Sequence, residues 1–192
     1  MRRIVFSTLL ICLSVLPAAA QTAQQPPSKD PLSPWLRGAY TRNRGYIAKT
    51  AEKVPEDLYS MRPGPQMEVR TFGQILGHVA NFNYYFCSNA KGEKNPNEGN
   101  DFEKVTSKAG LVKALNDAFT YCDGVYGALT DASGMEVIQF PSEDGKQTQS
   151  ALRVSRLVMN FAHNDEHYGN LVTYMRIKSI VPPSSEPRPP QR

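Results

Sequence analysis

Between Leu111 and Leu129 the apolar residues Leu111, Leu115, Ala118, Cys122, Val125 and Leu129 recur at intervals of four, three, four, three and four. A strand cannot use that spacing, because its side chains alternate every second residue. A helix places all six on one face, which must then be covered by other elements. Counting this one, four segments in chain order offer such faces. The first opens at Ser33-Pro34, read as a capping serine with proline in the first helical position, and carries Leu36, Tyr40, Ile47, Ala51 and Val54 before Pro55 stops it. The second opens at Thr71 with Gln74 three residues on, a capping-box spacing, and carries Ile75, Val79, Phe82 and Phe86. The third is the segment above, capped by Ser107 and ended by Gly134. The fourth runs from about Ser150 to Ile177 with Leu152, Leu157, Val158, Phe161, Leu171 and Tyr174.

Between these helices lie a proline-bearing connection over 55–70, a polar loop from Asn89 to Asn100, and a short extended piece from Met135 to Phe140 followed by a turn. Four amphipathic helices without a convincing sheet predict an all-α four-helix bundle over 31–181. Residues 21–30 read as a flexible linker and 182–192 as a disordered proline-rich tail.

The N-terminus reads as a secretory signal: Arg2 and Arg3, an apolar run from Ile4 to Leu16, then Pro17-Ala18-Ala19-Ala20, with cleavage before Gln21. The run is too short to make a good membrane span, so the expectation is a periplasmic or secreted protein with no stable span after cleavage. Loss of Arg2 and Arg3 lowers the net charge of +4 to +2. With no basic stripe interleaved with aromatics, nucleic acid is not an expected partner. Cys87 and Cys122 would remain, and an oxidising compartment permits a disulfide as readily as buried thiols.

The chain has three histidines. His163 and His167 stand four apart on the fourth helix, so both imidazoles share one face about a turn apart. His78 follows Ile75 and precedes Phe82, on the inward side of the second helix. Three imidazoles directed at one point predict a site for one divalent metal ion that leaves positions open to water or substrate, as catalytic sites do. Imidazole suits zinc, nickel, copper or iron; zinc is the first expectation, with nickel or iron as alternatives. The alternative reading is of ordinary buried core histidines. His163-Asn164-Asp165-Glu166-His167 also fits the H-x-x-E-H pattern of a metallopeptidase, but the sole downstream carboxylate side chain, Glu186, lies in the tail. A ferritin-like dimetal site needs Glu-x-x-His, and Ile75, Asn160 and Asn164 occupy the required positions. Asp165, Glu166, Asn81, Tyr85 and Asn170 are candidates for acid–base or supporting roles.

Arg70–Cys87 (RTFGQILGHVANFNYYFC), Lys91–Pro96 (KGEKNP) and His163–Pro183 (HNDEHYGNLVTYMRIKSIVPP) resemble the DinB-like (DinB/YfiT) family of four-helix-bundle metalloenzymes. His78, His163 and His167 fall on that family's three histidine positions. Where members often carry Arg-Gly-Gln after the last histidine, this chain has Tyr168-Gly169-Asn170, which keeps an amide but loses a cation. The resemblance implies a long crossover that makes helices two and three parallel. Cys87 and Cys122, both late in those helices, would then come level and form a disulfide. Characterised members include metal-dependent thiol-cofactor transferases and isomerases, whose cofactors are cytoplasmic. The expected function is accordingly an exported hydrolase or transferase acting on an unidentified small molecule, with homodimerisation left open. The alternatives are a non-catalytic metal-binding or partner-binding module and a purely structural bundle.

Overall fold

A computed structural model describes residues 30–187. The expected signal peptide, and all of the expected linker except Asp30, lie outside the described residues. No helix among the described residues is long and apolar enough to cross a membrane.

Four long helices carry the fold: α1 (Leu32–Lys53), α2 (Phe72–Lys91), α3 (Lys108–Ala128) and α5 (Arg153–Ile177), with a single turn, α4 (Asp131–Gly134), between the last two. Each apolar stripe finds its cover. Leu36, Tyr40, Ile47 and Ala51 of α1, Leu76 and Val79 of α2, Leu115, Ala118 and Cys122 of α3, and Leu157 and Leu171 of α5 have no exposed surface. Pairing of named residues gives the directions. A Cβ on Gly73 would touch Leu111 at one end of α2 and α3, and Cys87 meets Cys122 at the other, so these helices are parallel. On α1 and α5, Asn43 meets Asp165 and Tyr46 stacks on Tyr168, so they too are parallel. Around the bundle the order is α1, α3, α2, α5, with neighbouring helices of the two pairs antiparallel. The long crossover over 92–107 is thus present as expected.

Local chemistry sets the boundaries. The α2 capping box is complete: Thr71 N donates to Gln74 Oε1 at 2.9 Å and Gln74 N to Thr71 Oγ1 at 3.2 Å. Gly92 ends α2 at φ +77°, a left-handed conformation that glycine adopts without steric cost. Ser107 caps α3, accepting from Gly110 N at 3.2 Å.

Four expectations need correction. Ser33 does not cap α1; the helix starts at Leu32, and the Asp131 carboxylate accepts from Leu32 N at 3.1 Å and Ser33 N at 2.7 Å. A distant carboxylate thus does the work of a local cap. Gly134 does not end α3, which stops at Ala128; Thr130 then caps α4. Residues 148–152 are not helical. They form β2 (Thr148–Leu152), antiparallel to β1 (Val137–Pro141), with Gln139 opposite Ser150. Thr148, Gln149 and Ser150 lack helical apolar spacing, and Gly145 at φ +69° closes the turn that folds them back. The beginning of the tail is ordered: Pro183 is buried, Ser184 N donates to Tyr168 Oη at 3.0 Å, and Lys53 Nζ to Val181 O at 2.8 Å. Residues 188–192 lie outside the described residues.

Candidate metal centre

The site stands where α2 and α5 face each other. Just below it, α2 and α5 are locked by three asparagines with no exposed surface, Asn83, Asn160 and Asn164. Asn83 Nδ2 donates to Val79 O at 2.7 Å and Asn164 Oδ1 at 2.9 Å, while Asn83 Oδ1 accepts from Asn160 Nδ2 at 3.1 Å and Asn164 Nδ2 at 3.2 Å. Asn160 Oδ1 accepts from Tyr126 Oη at 3.0 Å, which ties in α3. Every polar atom of the triad has a partner, so the cluster fixes the register of the two helices without an unsatisfied group.

That register brings the histidines together. His163 Nε2 lies 3.1 Å from His78 Nε2 and 3.2 Å from His167 Nε2. One candidate ligand atom from each of the three residues falls within 4.8 Å of the others. Two imidazoles on one zinc ion, at the usual zinc–nitrogen distance and near-tetrahedral angle, bring their nitrogens about 3.0–3.4 Å apart. The two contacts made by His163 therefore fit, and the ligand atoms of His78 and His167 lie within 4.8 Å of each other.

Proton accounting gives the same answer. His78 Nδ1 donates to Glu103 Oε1 at 2.6 Å, so in the neutral ring Nε2 carries a lone pair facing the other two histidines. The amide of Asn170 lies 3.3 Å from His167 Nδ1; turned by half a rotation, it offers its oxygen to an Nδ1–H. His163 Nδ1 is buried and has no hydrogen-bond partner. A single proton on His163 Nε2 can serve one of its two short contacts, not both. A cation between the three nitrogens satisfies all of them.

The electrostatics keep the rings neutral and able to bind metal. Burial, then the neighbouring His167, His78 and Arg70, lowers His163 to about 3. Burial, then His78 and Arg70, lowers His167 to about 4. His78 is also lowered, with burial outweighing its hydrogen bond to Glu103. Phe82 stacks against His163 at 4.6 Å between ring centroids and lies 4.4 Å from His78, and Phe86 meets His163 edge-on at 5.7 Å. On the opposite side, beside His167, opens a cleft of about 330 Å³ with Arg70, Asn170, Thr173 and Tyr174 in its walls.

Glu103 is the site residue that sequence reasoning missed. It sits on a single helical turn, Phe102–Lys104, in the crossover, 25 positions from His78. Arg70 Nε pairs with its other oxygen at 2.9 Å. A close approach makes this possible: a Cβ on Gly77 would lie 2.3 Å from Phe102 O. Gly77 is the available hint, since a glycine inside a strong helical stripe signals another backbone nearby. Of the other candidates, Asn170 reaches the centre. Asn81 acts one step removed, its Oδ1 accepting from Phe102 N at 3.1 Å and its Nδ2 donating to Asp101 Oδ1 at 2.9 Å, so it holds the turn that carries Glu103. Asp165 accepts instead from Asn43 Nδ2 on α1 at 2.8 Å, Glu166 is exposed, and Tyr85 Oη donates to Pro141 O of the hairpin at 3.3 Å.

Comparison with known proteins identifies the family and the fold. The model of the DinB superfamily matches residues 39–171, which include all three histidines. The chain belongs to the DinB superfamily. Solved structures of the same fold include a DinB-like protein from Bacillus subtilis, 17% identical with a TM-score of 0.58, covering 82% of this chain and 96% of that one. A conserved protein from Enterococcus faecalis is 14% identical with a TM-score of 0.59, covering 77% and 98%. A mycothiol-dependent maleylpyruvate isomerase, solved as a histidine-to-alanine mutant, is 10% identical with a TM-score of 0.54, covering 72% of this chain and 60% of that one. No curated protein matches the chain. At these identities the solved structures speak to the fold of this DinB-superfamily chain and not to its reaction.

Proposed function

We propose that this DinB-superfamily protein is an exported metal-dependent hydrolase or thiol-type transferase, with one divalent ion held by His78, His163 and His167. The observation that carries the reading is the convergence of three neutral imidazoles, one of them set in its tautomer by Glu103. Zinc is the first choice of ion, nickel or iron the alternatives. A three-imidazole site leaves positions for substrate, and an ion there supplies Lewis acidity to a bound oxygen or sulfur.

The protein's own contribution can be read residue by residue. Glu103 orients His78 and raises its basicity, Asn170 steadies His167, and Phe82 keeps water from one side of the rings. The open side lies toward the cleft beside His167. The mycothiol-dependent neighbour supports thiol chemistry as a reaction class worth screening. Export is supported by the buried Cys87–Cys122 disulfide, which suits an oxidising compartment, and by the apolar N-terminal run.

Metal analysis of protein secreted into a bacterial periplasm, beside a His163→Ala, His167→Ala variant, tests the reading. The expected result is near one zinc, nickel or iron per wild-type chain and none in the variant. Wild type that stays metal-free after exposure to each ion would leave the histidines as core polar groups. Metal-replete protein without turnover across thiol, ester and amide substrates would instead favour a non-catalytic binding module.

A further inference from the structure

The cleft beside His167 lies between the segment 63–70 and the later turns of α5. Its volume of about 330 Å³ is at the small end of ligand sites. Besides His167, the polar side chains in its wall are Glu68, Arg70, Asn170 and Thr173. Asn170 and Thr173 stand three apart on α5, so both present hydrogen-bonding groups on one helix face.

Arg70 is held in this wall from several directions. Its Nε donates to Glu103 Oε2 at 2.9 Å, and Tyr174 Oη donates to its backbone carbonyl. Arg62 Nε fixes the adjoining residue by donating to Val69 O at 2.7 Å. Glu103 also accepts from His78 Nδ1, so a single carboxylate separates the guanidinium from a candidate ligand of the ion. These contacts leave the far end of the guanidinium unused. Nη1 and Nη2 have no protein partner among the described residues, and the side chain is 44% exposed where it borders the cleft. A planar fork with its other side already anchored loses little freedom on meeting a ligand. The remaining charge in the wall is Glu68, exposed and without an ion-pair partner among the described residues. With Glu103 and Glu68 both nearby, one guanidinium suits a single further negative charge and disfavours a dianion.

We propose that the substrate is a short monocarboxylate: its carboxylate pairs with the Nη1–Nη2 end of Arg70 in the cleft, and its reacting group meets the ion at the histidine centre. The fork geometry of a guanidinium matches a carboxylate. The assignment rests on the metal reading of the histidines. The competing explanation is that Arg70 only holds Glu103 in place, with its outer end solvated.

Titrating cobalt(II)-loaded full-length protein with succinic monohydroxamate and with propanohydroxamate at low ionic strength separates these, with cobalt d–d absorption as the readout. Both probes bring the same metal-binding hydroxamate and differ by one carboxylate. The carboxylate probe is expected to bind about three- to tenfold tighter, between the yield of an exposed ion pair and that of a charged hydrogen bond. Arg70→Gln is expected to abolish that advantage. Should this variant fail to fold or to hold cobalt, Arg70→Lys takes its place. Its ammonium still serves Glu103 but offers no fork to a second carboxylate, so most of the advantage should go. Equal affinities in the wild type, an advantage that survives the substitution, or an equal loss for both probes overturns the proposal. If the wild type retains no cobalt, the metal reading fails by itself. Butanoate titrated into metal-free protein, followed by backbone amide NMR shifts, then decides. Saturating shifts around Arg70 that Arg70→Lys lacks support the assignment, and their absence overturns it.

Discussion

Glu103 and Arg70 form a short relay behind His78: the guanidinium holds one carboxylate oxygen at 2.9 Å and the imidazole holds the other at 2.6 Å. Removing the carboxylate by Glu103→Ala should weaken metal binding about 10- to 100-fold, the usual effect of losing a ligand's hydrogen-bond partner. A chelator-competition titration would show it, with Glu103→Gln retaining part of the affinity because its amide oxygen still accepts. Unchanged affinity in Glu103→Ala would mean that packing alone orients His78. The lowered pKa values make a second prediction, for metal-free protein. In the unfolded chain the imidazoles take up protons near their ordinary value of 6.5, whereas folded His167 and His163 resist protonation down to about 4 and about 3. Below about pH 6.5 the unfolded state therefore binds more protons, and stability falls as pH drops across that window while staying flat above it. Urea unfolding at pH 7 and pH 5 should show this loss in the wild type and a smaller one in the His163→Ala, His167→Ala variant.

Among the elements, the crossover over 92–107 matters most to the site because it delivers Glu103 across a helix that has room for it at one position. Gly77→Ala would drive a methyl into Phe102 O and the following amide. The expected cost is about 1–3 kcal/mol, as for other overpacked sites. Metal affinity should fall as well, since the turn must move away from His78. A thermal melt together with the same chelator competition checks both; a loss of stability with metal affinity intact would show that the turn re-seats without moving Glu103. The hairpin is a second such element. Its Phe140 and Pro141 cover Arg156 and Tyr85, which is how Tyr84, Tyr85 and Phe86 are all accommodated: Tyr84 packs on Phe102 and Tyr121, Tyr85 lies under the hairpin, and Phe86 is buried.

For the molecule as a whole, the Cys87–Cys122 disulfide pins the parallel pair α2 and α3 at the ends remote from Gly73 and Leu111. It closes a loop of sequence separation 35, and the chain-entropy estimate for a loop of that length is about 4 kcal/mol. Replacing both cysteines with alanine should lower stability by roughly 2–4 kcal/mol in denaturant unfolding and leave the metal stoichiometry unchanged, because the asparagine triad separately sets the α2–α5 register. Free-thiol titration of the unreduced, unfolded protein should find neither Cys87 nor Cys122. Metal loss in the double variant would instead make the disulfide part of the site's support.

The sequence by itself determined the helices and the three inward histidines, because a 3.6-residue period and an i,i+4 pair are local properties that a chain displays before it folds. It also carried the capping box at Thr71 and the stripe that includes Cys122. What it did not display were the partnerships across long separations. Asp131 beside Ser33, Glu103 beside His78, and the pairing of β2 with β1 depend on which backbones approach, and only packing decides that. The histidines could be read as ligands from their spacing. Their neutrality, and the convergence of their Nε2 atoms, come from burial between α2 and α5, which only the tertiary structure supplies.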